Sequence, residues 1–133
     1  MRISISTACG VFAALCLVPM TALAAGSYIC AVGEAYECQG VTGCQRVSTD
    51  AINLSEFFVL DTDKKQLTSA SIGEDPRTED IEGMSATDKN IFLFGTQDVE
   101  TWNMTVSLEN GALAGGITSG ASSFALFGNC TKK

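Results

Sequence analysis

The sequence predicts an all-β fold: a small antiparallel meander of about seven or eight strands, closed or partly closed into a β-barrel and stapled by disulfides. Three observations predict it. Apolar residues recur with period two between frequent turn signals, most clearly where Trp102, Met104, Val106 and Leu108 alternate with Thr101, Asn103, Thr105 and Ser107. No segment after Ser27 sustains a helical period. Cysteines frame the region, with Cys30, Cys38 and Cys44 at its start and Cys130 near its end.

The chain opens with a short basic start at Met1-Arg2, an uncharged run from Ile3 to Met20, and Ala22-Leu23-Ala24, which sets small residues where a signal peptidase reads. Residues 1–24 therefore read as a signal peptide cut after Ala24, and 25–133 as a single disulfide-stabilised β domain. A membrane span needs about 20 strongly apolar residues, whereas Ser4, Ser6, Thr7 and Gly10 interrupt this run. The expected location is the periplasm or the medium outside the cell, with no membrane association after cleavage.

The whole chain has 15 acidic and 8 basic residues, a net charge of −7. Arg2 leaves with the signal, so the exported form is more acidic still. Phosphate backbones and anionic lipid surfaces attract the opposite charge, which argues against nucleic acid as a partner. A basic protein partner fits, because opposite net charge speeds encounter.

Cys9 and Cys16 also leave with the signal, and the even count that remains implies two disulfides in an oxidising compartment. Three pairings are possible. Long closure removes the most entropy from the unfolded chain, on the order of 4 to 5 kcal/mol, which favours one bridge within the first three cysteines and one to Cys130. Within that choice, Cys30–Cys38 with Cys44–Cys130 is placed slightly ahead of Cys38–Cys44 with Cys30–Cys130. Spacings of seven and five residues do not match the knuckle that brings two thiolates to one zinc ion.

In chain order, Tyr28 to Val32 reads as a first strand and Gly33 to Gly43 as a cysteine-bound loop with a helical turn at Glu34 to Cys38. Ala51 to Leu54 follows as a single helical turn or an extended connector. Phe57 to Leu60 is a second strand, Asp61 to Lys64 a turn, and Gln66 to Ile72 the return. Pro76 makes Gly73 to Arg77 a loop. Thr78 to Ser85 reads as one exposed strand. Ile91 to Phe94 is a buried strand left through Gly95, and Thr101 to Leu108 is the strand with one wet face. Asn110-Gly111 signals a two-residue type I′ hairpin. Ala112 to Thr118 returns, Ser119 to Ser122 turns, and Ser123 to Cys130 closes the meander, with Gly115-Gly116 marking a sharp bend or a close approach.

The absence of histidine excludes Ser-His-Asp and Cys-His hydrolysis, the commonest zinc sites and His-ligated haem. Glu74, Asp75, Glu79, Asp80 and Glu82 are enough for a carboxylate acid/base pair, but a solvated acidic face explains them more simply. Asp61-Thr62-Asp63 starts like a calcium loop and then departs from it at Lys65, Gln66 and Ile72. The expectation is a protein that is not an enzyme and carries neither metal nor cofactor.

Tyr36-Glu37-Cys38, Gly43 to Val47, Ile52-Asn53-Leu54, Trp102-Asn103-Met104 and the terminal Phe127-Gly128-Asn129-Cys130-Thr131 resemble a group of small exported bacterial proteins of no assigned function. That resemblance implies export and a shared fold, and no activity. Tyr28-Ile29-Cys30 with Cys130 is also similar in outline to the periplasmic inhibitors of c-type lysozyme, which are disulfide-tied eight-stranded barrels. It implies a partner loop at Ser119, Gly120, Ser123 and Phe124, although Ser123 stands where the inhibitors carry a tyrosine and the loop falls later in the chain.

Two functions follow as expectations. The first is a non-catalytic binding module for a small apolar ligand, lined by Phe92, Phe94, Trp102 and Met104, or for a protein partner. The alternative is an inhibitor of a basic cell-wall hydrolase such as a c-type lysozyme.

Overall fold

The computed structural model describes residues 25–69 and 75–133. The expected signal peptide, residues 70–72 of the expected return Gln66 to Ile72 and residues 73 and 74 of the expected loop Gly73 to Arg77 lie outside the described residues. The all-β, disulfide-stapled fold is borne out, with two differences: ten strands stand among the described residues, and they form an open half-barrel rather than a closed barrel.

The first strand accounts for much of the difference. β1 (Ser27–Gln39) runs through the expected loop and helical turn as one strand of 13 residues. A bulge at Gly33 allows it. Val32 pairs with Gly128 and Glu34 with Phe127, so Gly33 is the extra residue, and side-chain parity resets to bury Ala35 after Tyr28, Cys30 and Val32. β2 (Gly43–Val47) folds back on its far half, with Cys38 opposite Cys44.

The bridges are Cys30–Cys130 and Cys38–Cys44, each with Cα atoms 4.0 Å apart. This corrects the pairing placed first from sequence. In a continuous strand at about 3.3 Å per residue, Cys30 and Cys38 stand roughly 26 Å apart, far beyond disulfide reach.

A 3₁₀ turn at Asp50–Ile52 leads to β3 (Phe57–Asp61), then β4 (Gln66–Ser69) and β5 (Thr78–Asp80). β6 (Gly83–Ala86), β7 (Asn90–Gln97), β8 (Glu100–Ser107), β9 (Ala112–Ser119) and β10 (Ser122–Lys132) complete the chain. All pairings are antiparallel, in the order β5-β4-β3-β1-β10-β9-β8-β7-β6, with β2 pairing β1 beyond that path.

The expected single strand Thr78 to Ser85 is therefore two short strands on opposite sheet edges. Its centre, Ile81-Glu82, crosses between them: Ile81 N–H donates to the Lys65 carbonyl (2.8 Å) and Glu82 N–H to the Phe94 carbonyl (3.0 Å). Ile81 is buried, and the Glu82 carboxylate accepts from both the N–H and the hydroxyl of Thr96. The edges touch at this corner without forming a ladder.

The β8–β9 connection also differs from the expected two-residue turn. It spans Leu108 to Gly111, and of Asn110 and Gly111 only the glycine has positive φ, 75°. A larger side chain at Gly111 would strike the Cys130 carbonyl, and the Cys130 N–H donates to the Gly111 carbonyl at 2.7 Å. This contact with β10 sets the turn more strongly than the local preference for type I′.

The core lies on the concave face, where Leu60, Ile91, Leu93, Val106 and Cys30 are almost fully buried.

Candidate functional site

The curl of the sheet brings β4, near one edge, to face β8 and β9. Between them lies a cavity of about 790 Å³, counted out to its open mouth. Phe58, Leu67, Trp102, Met104, Leu113 and Leu126 supply apolar walls, and Arg77, Glu79 and Glu100 supply charge.

Alternation aims these walls inward. Leu126, Gly115, Met104, Leu93 and Met84 form one cross-strand row on the concave face, and Phe124, Ile117, Trp102 and Gly95 form the next. Gly115 is a gap in the first row. A Cβ there would lie 2.8 Å from the Asn103 carbonyl oxygen and 3.2 Å from Met104 Cβ, so a side chain is excluded by the approach of β8. This accounts for one of the paired glycines seen in the sequence.

Trp102 is only 7% exposed, and its Nε1–H has no hydrogen-bond partner among the described residues. Buried donors are nearly always paired. Burial raises the Glu79 carboxyl above its ordinary range, with Arg77 opposing and the Glu100 carboxylate adding to the rise. The Arg77 Nη2 donates to the Asn53 carbonyl at 3.1 Å.

The sequence-derived lining divides between two faces. Trp102 and Met104 line the cavity, whereas Phe92 and Phe94 lie on the convex side, 43% and 56% exposed, because Ile91 and Leu93 take the inward positions of β7 at 0% and 2%. A wholly apolar Ile-Phe-Leu-Phe run carries no alternation by which to choose its faces. The proposed partner loop divides as well: Gly120 and Ser123 are exposed, Ser119 is part-buried beside the turn, and Phe124 packs against the core.

Of the acidic residues singled out, Glu79 lines the cavity, Asp80 accepts from Gln66 Nε2 at 3.2 Å, Glu82 serves the edge corner, Asp75 is exposed, and Glu74 lies outside the described residues. Asp61 closes a turn, its Oδ1 accepting from the N–H groups of Asp63 (3.1 Å) and Lys64 (2.9 Å). No group of three or more metal-ligating side chains occurs among the described residues.

Sequence reasoning missed Leu67, Arg77, Glu100 and Leu113 as lining. Only Leu113 had a signal, since it alternates with Ala112 and Ala114. The convergence of the others depends on the curl.

Comparison with protein-family models, with curated proteins and with solved structures finds no match. Within the described residues no helix is long and apolar enough to cross a membrane, and the two disulfides fit an oxidising compartment.

Proposed function

We propose that this is an exported, non-catalytic binding protein that holds a small apolar ligand in the concave cavity of its half-barrel. The observation that carries the reading is the lining of the cavity: the apolar walls of Phe58, Leu67, Met104, Leu113 and Leu126 with a few polar groups among them are the usual make-up of small-molecule sites. The cavity opens inside a sheet whose central strands β1 and β10 are joined by the Cys30–Cys130 disulfide. A preorganised site of this kind spends little binding free energy on ordering.

The test is native mass spectrometry of the protein purified from the cells that make it, beside the denatured mass of the same sample. A native species heavier by one defined small molecule supports the carrier. Equal masses, with no uptake of apolar compounds added afterwards, end this reading. The denatured mass also tests cleavage after Ala24.

A second reading keeps the inhibitor alternative, and one observation favours it. Gln39 pairs with Ser122, which brings the stapled β1–β2 hairpin, with Val41 fully exposed at its tip, to the same end as the Gly120 turn. A rigid protruding end on an acidic protein suits the cleft of a basic hydrolase. Mature protein that leaves a c-type lysozyme at full activity on cell walls removes it.

A further inference from the structure

The curl that forms the cavity sets two carboxylates at its mouth from strands that stand far apart in the sheet order. Glu79 lies on β5, at one edge, and Glu100 opens β8, near the other. The register turns both inward. Glu79 pairs with Leu67 and Leu67 with Leu60, both buried, while Glu100 stands two residues before Trp102 on the same face of β8. Both glutamates line the cavity beside Phe58, Leu67, Met104 and Leu113, and both are part-exposed, so a molecule held there has access to them.

Neither carboxylate has its charge answered. Among the described residues neither accepts a hydrogen bond or forms an ion pair. Burial raises the Glu79 carboxyl, Arg77 opposes the rise and the Glu100 carboxylate adds to it, which places the three groups within electrostatic reach of one another. Arg77 also lines the mouth, but its Nη2 is given to the Asn53 carbonyl. Two carboxylates against one guanidinium leave the mouth net negative. A cation that enters with an apolar body offsets the cost of desolvating these carboxylates, whereas an anion adds a third like charge.

Resting on the carrier reading, we infer that the ligand is an apolar amine in its protonated form, with its hydrocarbon body in the cavity and its ammonium group at the mouth between the Glu79 and Glu100 carboxylates. Anionic amphiphiles such as fatty-acid carboxylates are rejected.

Three probes of equal chain length are titrated into the oxidised protein: octylammonium, 1-octanol and octanoate. The ¹³C-labelled methyl of Met104, a cavity wall, reports whether each body enters, and calorimetry gives the affinities. Octylammonium is expected to bind about ten-fold tighter than 1-octanol, a factor in the range of a charge-assisted hydrogen bond. Octanoate is expected to bind more weakly than the alcohol. Titrations run in about 0.15 M salt, which screens distant surface charge.

Glu79→Gln and Glu100→Gln keep side-chain size and remove one charge each, so the ratio of ammonium to alcohol affinity should fall toward one in both. Glu109→Gln, at an exposed residue of the β8–β9 connection that does not line the cavity, should leave the ratio as it is. An equal fall in all three variants would trace the preference to net charge and overturn the site. Entry of 1-octanol with equal affinities for the three probes, or with octanoate the tightest, overturns the ligand class and leaves the carrier intact. Failure of every probe to move the Met104 methyl overturns both. The ratio is first read on the unaltered protein, so this arm stands even where a variant folds poorly.

Discussion

The indole of Trp102 rests against Gly95, its direct cross-strand partner: a Cβ on that glycine would stand 2.6 Å from Cζ2 and 2.8 Å from Cε2 of the ring. The Asp80 carbonyl, 3.1 Å from the same point, limits escape in another direction. Gly95→Ala is therefore expected to cost about 1–3 kcal/mol, the usual range for overpacking. The reading is a lower urea midpoint at unchanged slope, and a midpoint equal to the parent's would show that the ring moves aside freely.

Gly83 and Gly128 make a sharper contrast. A methyl at Gly83 would meet only the ring of Phe94, a half-exposed side chain with open solvent to move into. A methyl at Gly128 would be driven into the backbone carbonyl of Ala31 beside the β1 bulge. Gly83→Ala should cost less than about 1 kcal/mol, and Gly128→Ala at least about 3 kcal/mol, since only backbone movement relieves it. Far-ultraviolet circular dichroism during urea unfolding separates the two, and similar midpoints would refute the assignment.

The two disulfides should contribute unequally. Cys30–Cys130 closes a separation of 100 residues and Cys38–Cys44 one of 6. In the chain-entropy account these correspond to roughly 4.7 and roughly 2 kcal/mol. Replacing each pair by alanine should lower the melting temperature much more for the first pair. Equal losses would mean that the unfolded chain keeps structure around one of them.

Stability should respond to pH through Glu79. Its carboxyl is raised in the folded protein, by burial first, so the native state holds this proton more firmly than the unfolded chain. The resulting stabilisation is fully present below the ordinary glutamate range and is lost as pH rises through the folded value. Glu79→Gln should therefore be more stable than the parent at pH 7. On acidification to about pH 4 and below, that advantage should shrink. An advantage that stays constant across this range would mean the carboxyl titrates alike in both states.

Legibility followed the alternation of residue types. Thr101 to Leu108 has one apolar and one polar face, and Trp102, Met104, Val106 and Leu108 do point inward. Ile91 to Phe94 has no polar phase, so Phe92 and Phe94 were indistinguishable from their buried neighbours. The cysteine pairing was illegible because it depends on Gly33, and a bulge has no signature apart from that of any turn glycine. Nor did the sequence show that Ile81-Glu82 bridges two sheet edges. The cavity inherits this limit, because Leu67 and Trp102 meet only once the sheet is curled.

The Cys30–Cys130 bridge joins β1 and β10, the strands that carry the two ends of the described chain, in the middle of the sheet. A pull applied at those ends passes straight across this bond. The strands between the two cysteines lie outside the line of tension and stay slack while the bond holds. Stretched from residues 25 and 133 in oxidising surroundings, the chain between them lengthens by only the few residues beyond the bridge, and reduction alone releases the rest. The half-barrel and its cavity are thereby insulated from mechanical load.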